Sequence, residues 1–327
     1  MNAPPNLKFG VVIVAGGRVD ARLAHAIGTD RKCLAQVAGR TCLDRVLEAC
    51  AEAALGPVAL VTGTDVWQDG MPATFVPERG RQMENVRAGV EALEGYDNFV
   101  FLPADAPFLQ AKGVREFAWS AWCSVWAPDW HKRAEPWVKE ETDEEPDLYV
   151  PLGPWLAAGL CESGVYKRSF PECPKQSLRL RSDRWHSGAY FAASREGFEK
   201  AATVIAGFSE DRRSQVKMAL RLGLPNAFKF ATGQFGLRDG EDVLAKVFGC
   251  PVRLIEGADP ESIVDIDDPK EYAQVLEAAK RYSPSCKASS TGWPATCATN
   301  ALLSRDRRLG PPRFAQRANR GFLAGYL

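Results

Sequence analysis

Four short apolar runs, separated by stretches of helical periodicity, dominate the first 109 residues. FGVVIVA (9–15), PVALVTG (57–63), ATFVP (73–77) and the start of NFVFLPADAPFL (98–109) are rich in β-branched and aromatic residues. Continuous apolar runs of this kind suit strands buried on both faces of a parallel sheet. Between them, TCLDRVLEACAEAAL (41–55) places Leu43, Val46, Leu47, Cys50 and Ala54 on one helical face, behind a Thr41/Asp44 capping box. RQMENVRAGVEALEG (81–95) is a second helix, ended by glycine. Strands alternating with helices of about a dozen residues predict an α/β domain with a doubly wound, mostly parallel sheet. In such sheets ligands sit beyond the carboxyl ends of the strands.

Beyond residue 109 the alternation loosens. Residues 118–147 hold five tryptophans (119, 122, 126, 130 and 137), then the acidic run KEETDEEPD. This segment is expected to be an insertion, either a satellite cluster on the core or a lid or interface. DLYVPLG (147–153), LRLRSD (178–183), GAYFAAS (188–194), CPVRLIE (250–256) and ESIVDIDD (261–268) are further expected strands. Helices are expected near 195–206, 210–222 and 240–248, with PKEYAQVLEAAKRY (269–282) as the last, proline at its first position. The expected organisation is a flexible N-terminus over 1–7, one domain over 8–282, and a basic, disordered tail over 283–327.

The formal net charge of zero hides an asymmetry. From 281 to 327 eight basic residues face one acid, Asp306. A nucleic-acid role would rest wholly on that tail and is not expected. The nine cysteines have no CxxC or His-linked spacing, and three histidines make a zinc site implausible. No apolar run has the length of a membrane helix, and the first residues carry no signal-like apolar core, so reduced thiols and a cytoplasmic location are expected.

Three strand ends carry residues able to do chemistry. Ala15-Gly16-Gly17-Arg18 follows the first strand, with no side chain beyond a methyl before the arginine. Its N–H groups could approach a phosphate, with Arg18 or Arg22 pairing to it; a plain tight turn is the other option. It is neither a dinucleotide fingerprint nor a P-loop, which disfavours a hydride-transferring dehydrogenase. Asp105, in the proline-flanked turn of FLPADAPFL, suits a Mg²⁺ ligand or a cap. In VDIDDP (264–269), period-two alternation sends Asp265 and Asp267 to one side, and Asp268 is placed to cap the last helix. Lys32 lies in the loop between first strand and first helix, able to fold over whatever the glycines hold.

Taken together, these pieces resemble the MobA-like NTP transferases, which include molybdenum cofactor guanylyltransferases. The family opens with a strand, Leu-Ala-Gly-Gly, a loop with an Arg, a Lys and a Gly-containing turn into a helix. Here those are Val14-Ala15-Gly16-Gly17, Arg18, Lys32 and VAGRTCLDRVL (37–47). The family's metal Asp matches Asp105 in ADAP, and its closing DIDTPED matches DIDDPKE (265–271). The order of motifs covers residues 8 to 282 and is most similar to a bacterial branch with a long segment before a GGN-type turn, here HSGAYF (186–191). Two features depart from the pattern: Arg22 comes one residue late before a long loop to Lys32, and the turn lacks its Asn.

The resemblance implies a three-layer α/β/α fold with a Rossmann-like sheet, of the nucleotide-diphospho-sugar transferase (GT-A) type. It implies an NTP, with GTP one option, held by Val14, Ala15, Gly16, Gly17, Arg18 and Lys32, and by Thr62, Glu78 and Asn85. It implies Mg²⁺ (or Mn²⁺) on Asp105 and Asp267, with Lys32, Arg18, Arg22 and Asp105 as the catalytic set. The implied reaction moves an NMP unit to a phosphate or hydroxyl of a small-molecule acceptor and releases pyrophosphate. The protein would be a monomer or homodimer without a membrane partner. A nucleotide-sugar-dependent glycosyltransferase of the same fold is a second reading, although ADA offers one acid where a DxD pair is usual. A non-catalytic nucleotide-binding protein is a third.

Overall fold

A computed structural model describes residues 8–126, 153–181, 183–208, 229 and 232–282. The strands are β1 (Gly10–Val14), β2 (Gln36–Val37), β3 (Arg40–Thr41), β4 (Val58–Thr62), β5 (Thr74–Pro77), β6 (Asn98–Pro103), β7 (Leu156–Glu162), β8 (Leu178–Arg179), β9 (Arg184–Ser194) and β10 (Val252–Glu256). The helices are α1 (Ala21–Ile27), α2 (Cys42–Ala53), α3 (Gln82–Ala92), α4 (Ala111–Trp126), α5 (Ser163–Ser169), α6 (Arg195–Phe208), α7 (Leu237–Phe248) and α8 (Pro269–Tyr282).

One sheet runs β10-β7-β9-β6-β1-β4-β5, with β8 paired to β9 off this path. β6, β1, β4 and β5 are mutually parallel, as are β10 and β7, whereas β9 lies antiparallel between β6 and β7. The sheet is mixed and mostly parallel, with helices on both faces. Adjacent residues of β1 point to opposite faces and meet different helices. Val11 and Ile13 pack with Leu43, Val46 and Leu47 of α2 and Val114, Phe117 and Ala121 of α4. Val12 packs instead with Ala88 and Val90 of α3 and Phe198 and Ala202 of α6. Burying each such aliphatic side chain contributes about 1.5–3 kcal/mol relative to leaving it exposed. A further cluster ties Leu23 and Ile27 of α1, Tyr166 of α5 and Val275 and Ala278 of α8 to Val264 and Ile266.

The early elements match their sequence signals. Thr41 accepts the Asp44 N–H at 3.0 Å while Asp44 accepts the Thr41 N–H at 3.3 Å, which is the expected reciprocal cap of α2. Other elements differ from expectation. Residues 118–126 continue α4 rather than opening an insertion, because Val114, Phe117, Ala118 and Ala121 form a stripe buried in the main core. The expected boundary at 118 therefore falls inside a core helix. The strand at 156–162 is not among the expected elements, and neither are α1, α5 or the β2–β3 hairpin. The expected strand at 261–268 is a 3₁₀ turn over Pro260–Ile263 followed by extended chain. Its alternation survives, with Val264 and Ile266 buried and Asp265 and Asp267 more exposed, but among the described residues β10 pairs only with β7. The second half of the Trp-rich segment, the expected strand at 147–153 up to its last residue, Gly153, the helix at 210–222, residues 1–7 and the tail from 283 lie outside the described residues.

Candidate active site

Sheet register builds the site. Val14 at the end of β1 stands opposite Val61 of β4 and Pro103 of β6, and Thr62 stands opposite Pro77 of β5. The four parallel strands thus finish level, and their next residues share one edge: Gly16 and Gly17, Gly63 and Asp65, Glu78, and Asp105. Gly17 has φ +88°, a left-handed conformation that favours glycine. A methyl on Gly16 would lie 2.6 Å from Glu78 Oε2 and 3.1 Å from Asn85 Nδ2, so the loop backbone runs directly against those side chains.

The arginine set most deeply here is Arg31, which sequence reasoning missed. Its side chain is 5% exposed. Nε and Nη2 donate to the two oxygens of Asp65 at 2.9 and 2.8 Å, and Nη2 also donates to Glu78 Oε1 at 3.0 Å. Nη1 donates to Glu78 Oε2 and to the Gly17 carbonyl, both at 3.3 Å. Glu78 Oε2 also accepts the Gly17 N–H at 3.2 Å. Hydrogen bonds from Arg31 hold the carboxyls of Asp65 and Glu78 below their ordinary range and push the guanidinium pKa up. The available signal was the Asp30-Arg31-Lys32 run itself, but a sequence does not show which of three loop arginines turns inward.

Lys32 begins a short 3₁₀ turn, Lys32–Leu34, and its ammonium lies between Asp105 and Asp267, 2.5 Å from Asp267 Oδ1. Burial works against its charge, but the two carboxylates outweigh burial and raise its pKa. Burial likewise opposes ionisation of Asp267, and Lys32 reverses the balance, leaving that carboxyl below its ordinary range. Next to this pair, Lys175 donates to Asp265 and, at 2.6 Å, to Glu271 Oε1. Asp265, Asp267 and Glu271 bring one oxygen each within 4.8 Å of one another. Burial pushes Asp265 up despite Lys175. Lys175 and Glu271 were also missed, since no local pattern links residues 175 and 271.

Of the residues singled out in sequence, Lys32, Asp105 and Asp267 come together, and so do Gly16, Gly17, Glu78 and Asn85. Arg18 is half exposed and pairs with Asp30 and, at 3.4 Å, with Asp65. Arg22 is exposed in the first turn of α1, where its main-chain N–H is capped by Asp20 at 2.8 Å. Thr62 is fully buried and its hydroxyl donates to the Ala15 carbonyl at 3.4 Å, so it ties β4 to β1 rather than facing the edge. Asn85 is buried too and accepts the Arg79 N–H at 2.6 Å, with its Nδ2 directed at Gly16. Asp268 accepts the Glu271 N–H at 2.8 Å and caps α8 as expected.

Nucleophilic side chains near the edge are poorly placed for covalent chemistry. Cys33 is buried and desolvation pushes its thiol up to about 12, which keeps it protonated. His186 and Ser163 form a pair 3.2 Å apart, but both are buried, and His186 Nδ1 donates to the Gln176 carbonyl. Burial lowers the His186 pKa, and its ring packs against Tyr166. The edge offers main-chain N–H groups, fixed cations and carboxylates, which suits transfer steered by charge.

Comparisons to known proteins identify the family. Residues 11–207 match the model of the MobA-like NTP transferase domain. A hypothetical transferase from Thermus thermophilus superposes with a TM-score of 0.63 at 22% identity, over 81% of this chain and 99% of that one. CMP:2-keto-3-deoxy-manno-octonic acid synthetase complexed with CTP gives 0.47 at 14% identity, over 84% and 99%. The 2-C-methyl-D-erythritol 4-phosphate cytidylyltransferase of Thermus thermophilus gives 0.41 at 14%, over 84% and 99%. No curated protein matches the sequence. No helix among the described residues is long and apolar enough to cross a membrane. The family match spans more than half of the chain: the chain belongs to the MobA-like NTP transferase domain family and is a nucleotidyltransferase.

Proposed function

We propose that the enzyme moves an NMP unit from an NTP to a phosphate or hydroxyl of a small-molecule acceptor, with Mg²⁺ and release of pyrophosphate. One observation carries the metal requirement: four cations at the strand-end edge are each shared between two carboxylates. Arg18 holds Asp30 and Asp65, Arg31 holds Asp65 and Glu78, Lys32 holds Asp105 and Asp267, and Lys175 holds Asp265 and Glu271. Seven carboxylates thus face four cations. An edge with this surplus of negative charge repels a bare triphosphate, so added positive charge has to accompany the nucleotide.

The residues fit Mg²⁺. Asp105 and Asp267 reach one ammonium, so their oxygens lie within two hydrogen-bond lengths of each other. Magnesium takes hard oxygen donors, commonly one or two carboxylates with substrate phosphates; Mn²⁺ accepts the same set. When bound, the ion supplies Lewis-acid neutralisation of phosphate charge. The chain's own groups do the rest. Gly16 lets the phosphates approach the backbone, and Lys32 neutralises charge as it shifts toward the leaving pyrophosphate. The acceptor oxygen forms a bond to the α-phosphorus in line with the breaking bond to the β-phosphate oxygen, and holding this geometry supplies most of the rate. Asn85 and Glu78, whose side chains flank Gly16, are assigned to the nucleoside in this reading. Val14 and Ala15 form the floor, Thr62 braces it, and Arg18 and Arg22 lie at its solvent side.

Pyrophosphate release tests this, with each NTP (GTP first), Mg²⁺ or Mn²⁺, and a panel of phosphorylated and hydroxyl acceptors. Mg²⁺-dependent release with one acceptor is the expected result. Turnover of nucleotide sugars instead would make the protein a glycosyltransferase, and NTP binding without release under any acceptor would make it a binding protein. Gly16→Ala is expected to weaken Mg·NTP binding at least tenfold in calorimetry and to lower the melting temperature, because the new methyl would lie 2.6 Å from the Glu78 oxygen that Arg31 and the Gly17 N–H hold. Unchanged affinity would place the phosphates elsewhere.

A further inference from the structure

We propose that Arg31 is a positioning residue that aims Lys32, and that it makes no contact with substrate. This rests on the nucleotidyltransferase reading of the edge, but its argument is geometric. A guanidinium has five N–H donors, and all five of Arg31's are taken: Nε–H by Asp65, the two on Nη2 by Asp65 and Glu78, the two on Nη1 by Glu78 and the Gly17 carbonyl. A buried guanidinium with no free donor cannot take a phosphate oxygen without leaving a carboxylate unpaired, and that exchange is unfavourable. Arg31 therefore does not do the phosphate work expected of a loop arginine.

Its partners show what it does instead. Gly17 follows β1, Asp65 follows β4 and Glu78 follows β5, so one side chain fastens three strand ends. The packing around it is closed: a methyl on Gly63 would lie 2.6 Å from Arg31 Nη2 and 3.1 Å from Glu78 Oε1. Arg31 is also the residue before the 3₁₀ turn that carries Lys32, and its carbonyl accepts the Leu34 N–H at 3.0 Å. On the other side of Lys32, Cys33 is buried against the Ala15 carbonyl. Lys32 is thus pinned from both neighbours at the end of the long loop from Gly17. Its ammonium reaches Asp105 and Asp267 because Arg31 fixes where its Cα stands. The oddity of the sequence, a loop too long and an arginine out of place, is resolved by an inward-turned arginine adjoining the lysine.

The test is a double-mutant cycle read by calorimetry of Mg²⁺ with each of the four NTPs, using the full chain. Lysine at 31 keeps the charge but cannot reproduce the two-sided fork. Arg31→Lys and Lys32→Met are each expected to weaken binding at least tenfold, and the double variant to bind within about twofold of Lys32→Met alone, since residues acting as one unit are not additive. Additive losses, or an unchanged Arg31→Lys, would overturn the proposal. Asp65→Asn removes one exposed side of the clamp and serves if Arg31→Lys folds poorly; it is expected to follow the same non-additive pattern. A second readout needs no nucleotide. Amide hydrogen exchange across residues 29–34 is expected to speed up at least tenfold in Arg31→Lys and Asp65→Asn while α2 stays protected. Unchanged exchange would overturn the anchoring role. If wild-type protein binds no NTP, the nucleotidyl-transfer reading fails, and the exchange result alone decides Arg31.

Discussion

Lys32→Met is expected to lower the kcat/KM for pyrophosphate release about 10²- to 10³-fold, the size of loss seen when one preorganised charge-stabilising donor is removed. Methionine keeps most of the side-chain volume, and the fold should survive because the ammonium sits at the site edge, 25% exposed. A second signature separates this role from a plain salt bridge. Without the ammonium, Asp105 and Asp267 lose the cation they share, so Mn²⁺ alone should bind the variant more tightly than wild type. Asp105→Ala should lose activity to a similar extent and gain no metal affinity. A rate loss below tenfold in Lys32→Met would mean that the lysine only balances charge in the resting enzyme.

The second large effect concerns stability. Both carboxylate oxygens of Asp259 are buried, with the Tyr190 hydroxyl beside them as the side chain that favours the charged form. Burial first, then the nearby negative charge of Glu261, pushes the Asp259 carboxyl up to about 7, against 3.8 for the ordinary group, with Glu116 adding to the same direction. A folded-state pKa above the unfolded value means the folded protein binds the extra proton. The contribution of Asp259 to stability is therefore greatest below about pH 4, falls as pH rises from 4 to 7, and levels off above 7, by about 4 kcal/mol in total at 1.36 kcal/mol per unit. Asp259→Asn cannot ionise and escapes this loss. The variant should melt near wild type at pH 4 and about 10 °C higher at pH 8, given roughly 2–4 °C per kcal/mol in a domain of this size. Parallel melting curves for the two proteins from pH 4 to 8 would show that Asp259 stays ionised and solvated in the fold.

Parts of the site were legible because their signals are local. A β-branched run ending in Ala15-Gly16-Gly17 announces a strand and a bare turn, and proline on both sides of Asp105 announces a fixed carboxylate after another strand. Asp268 before Pro269 announces a helix cap. Arg31, Lys175 and Glu271 were not legible. Each matters through a partner far along the chain: Arg31 through Asp65 and Glu78, Lys175 through Asp265 and Glu271. The expected strand at 261–268 shows the same limit from the other side. Alternation predicted which residues face inward and was right about Val264 and Ile266, but a strand also needs a neighbour to pair with, and none is present there among the described residues.

By itself the sequence determined the alternation of strands and helices, and hence a doubly wound sheet with its chemistry at the strand ends. Burial period and capping act over a few residues, so one chain read in order carries them. The tertiary structure alone decided which charges meet. Strand order and register bring the ends of β1, β4, β5 and β6 level, and only then do Arg31 and Lys32, one residue apart in the chain, divide the labour between clamping the loop and facing the acids. Coulomb energy depends on distance in space, and the fold, not the spacing in sequence, sets that distance.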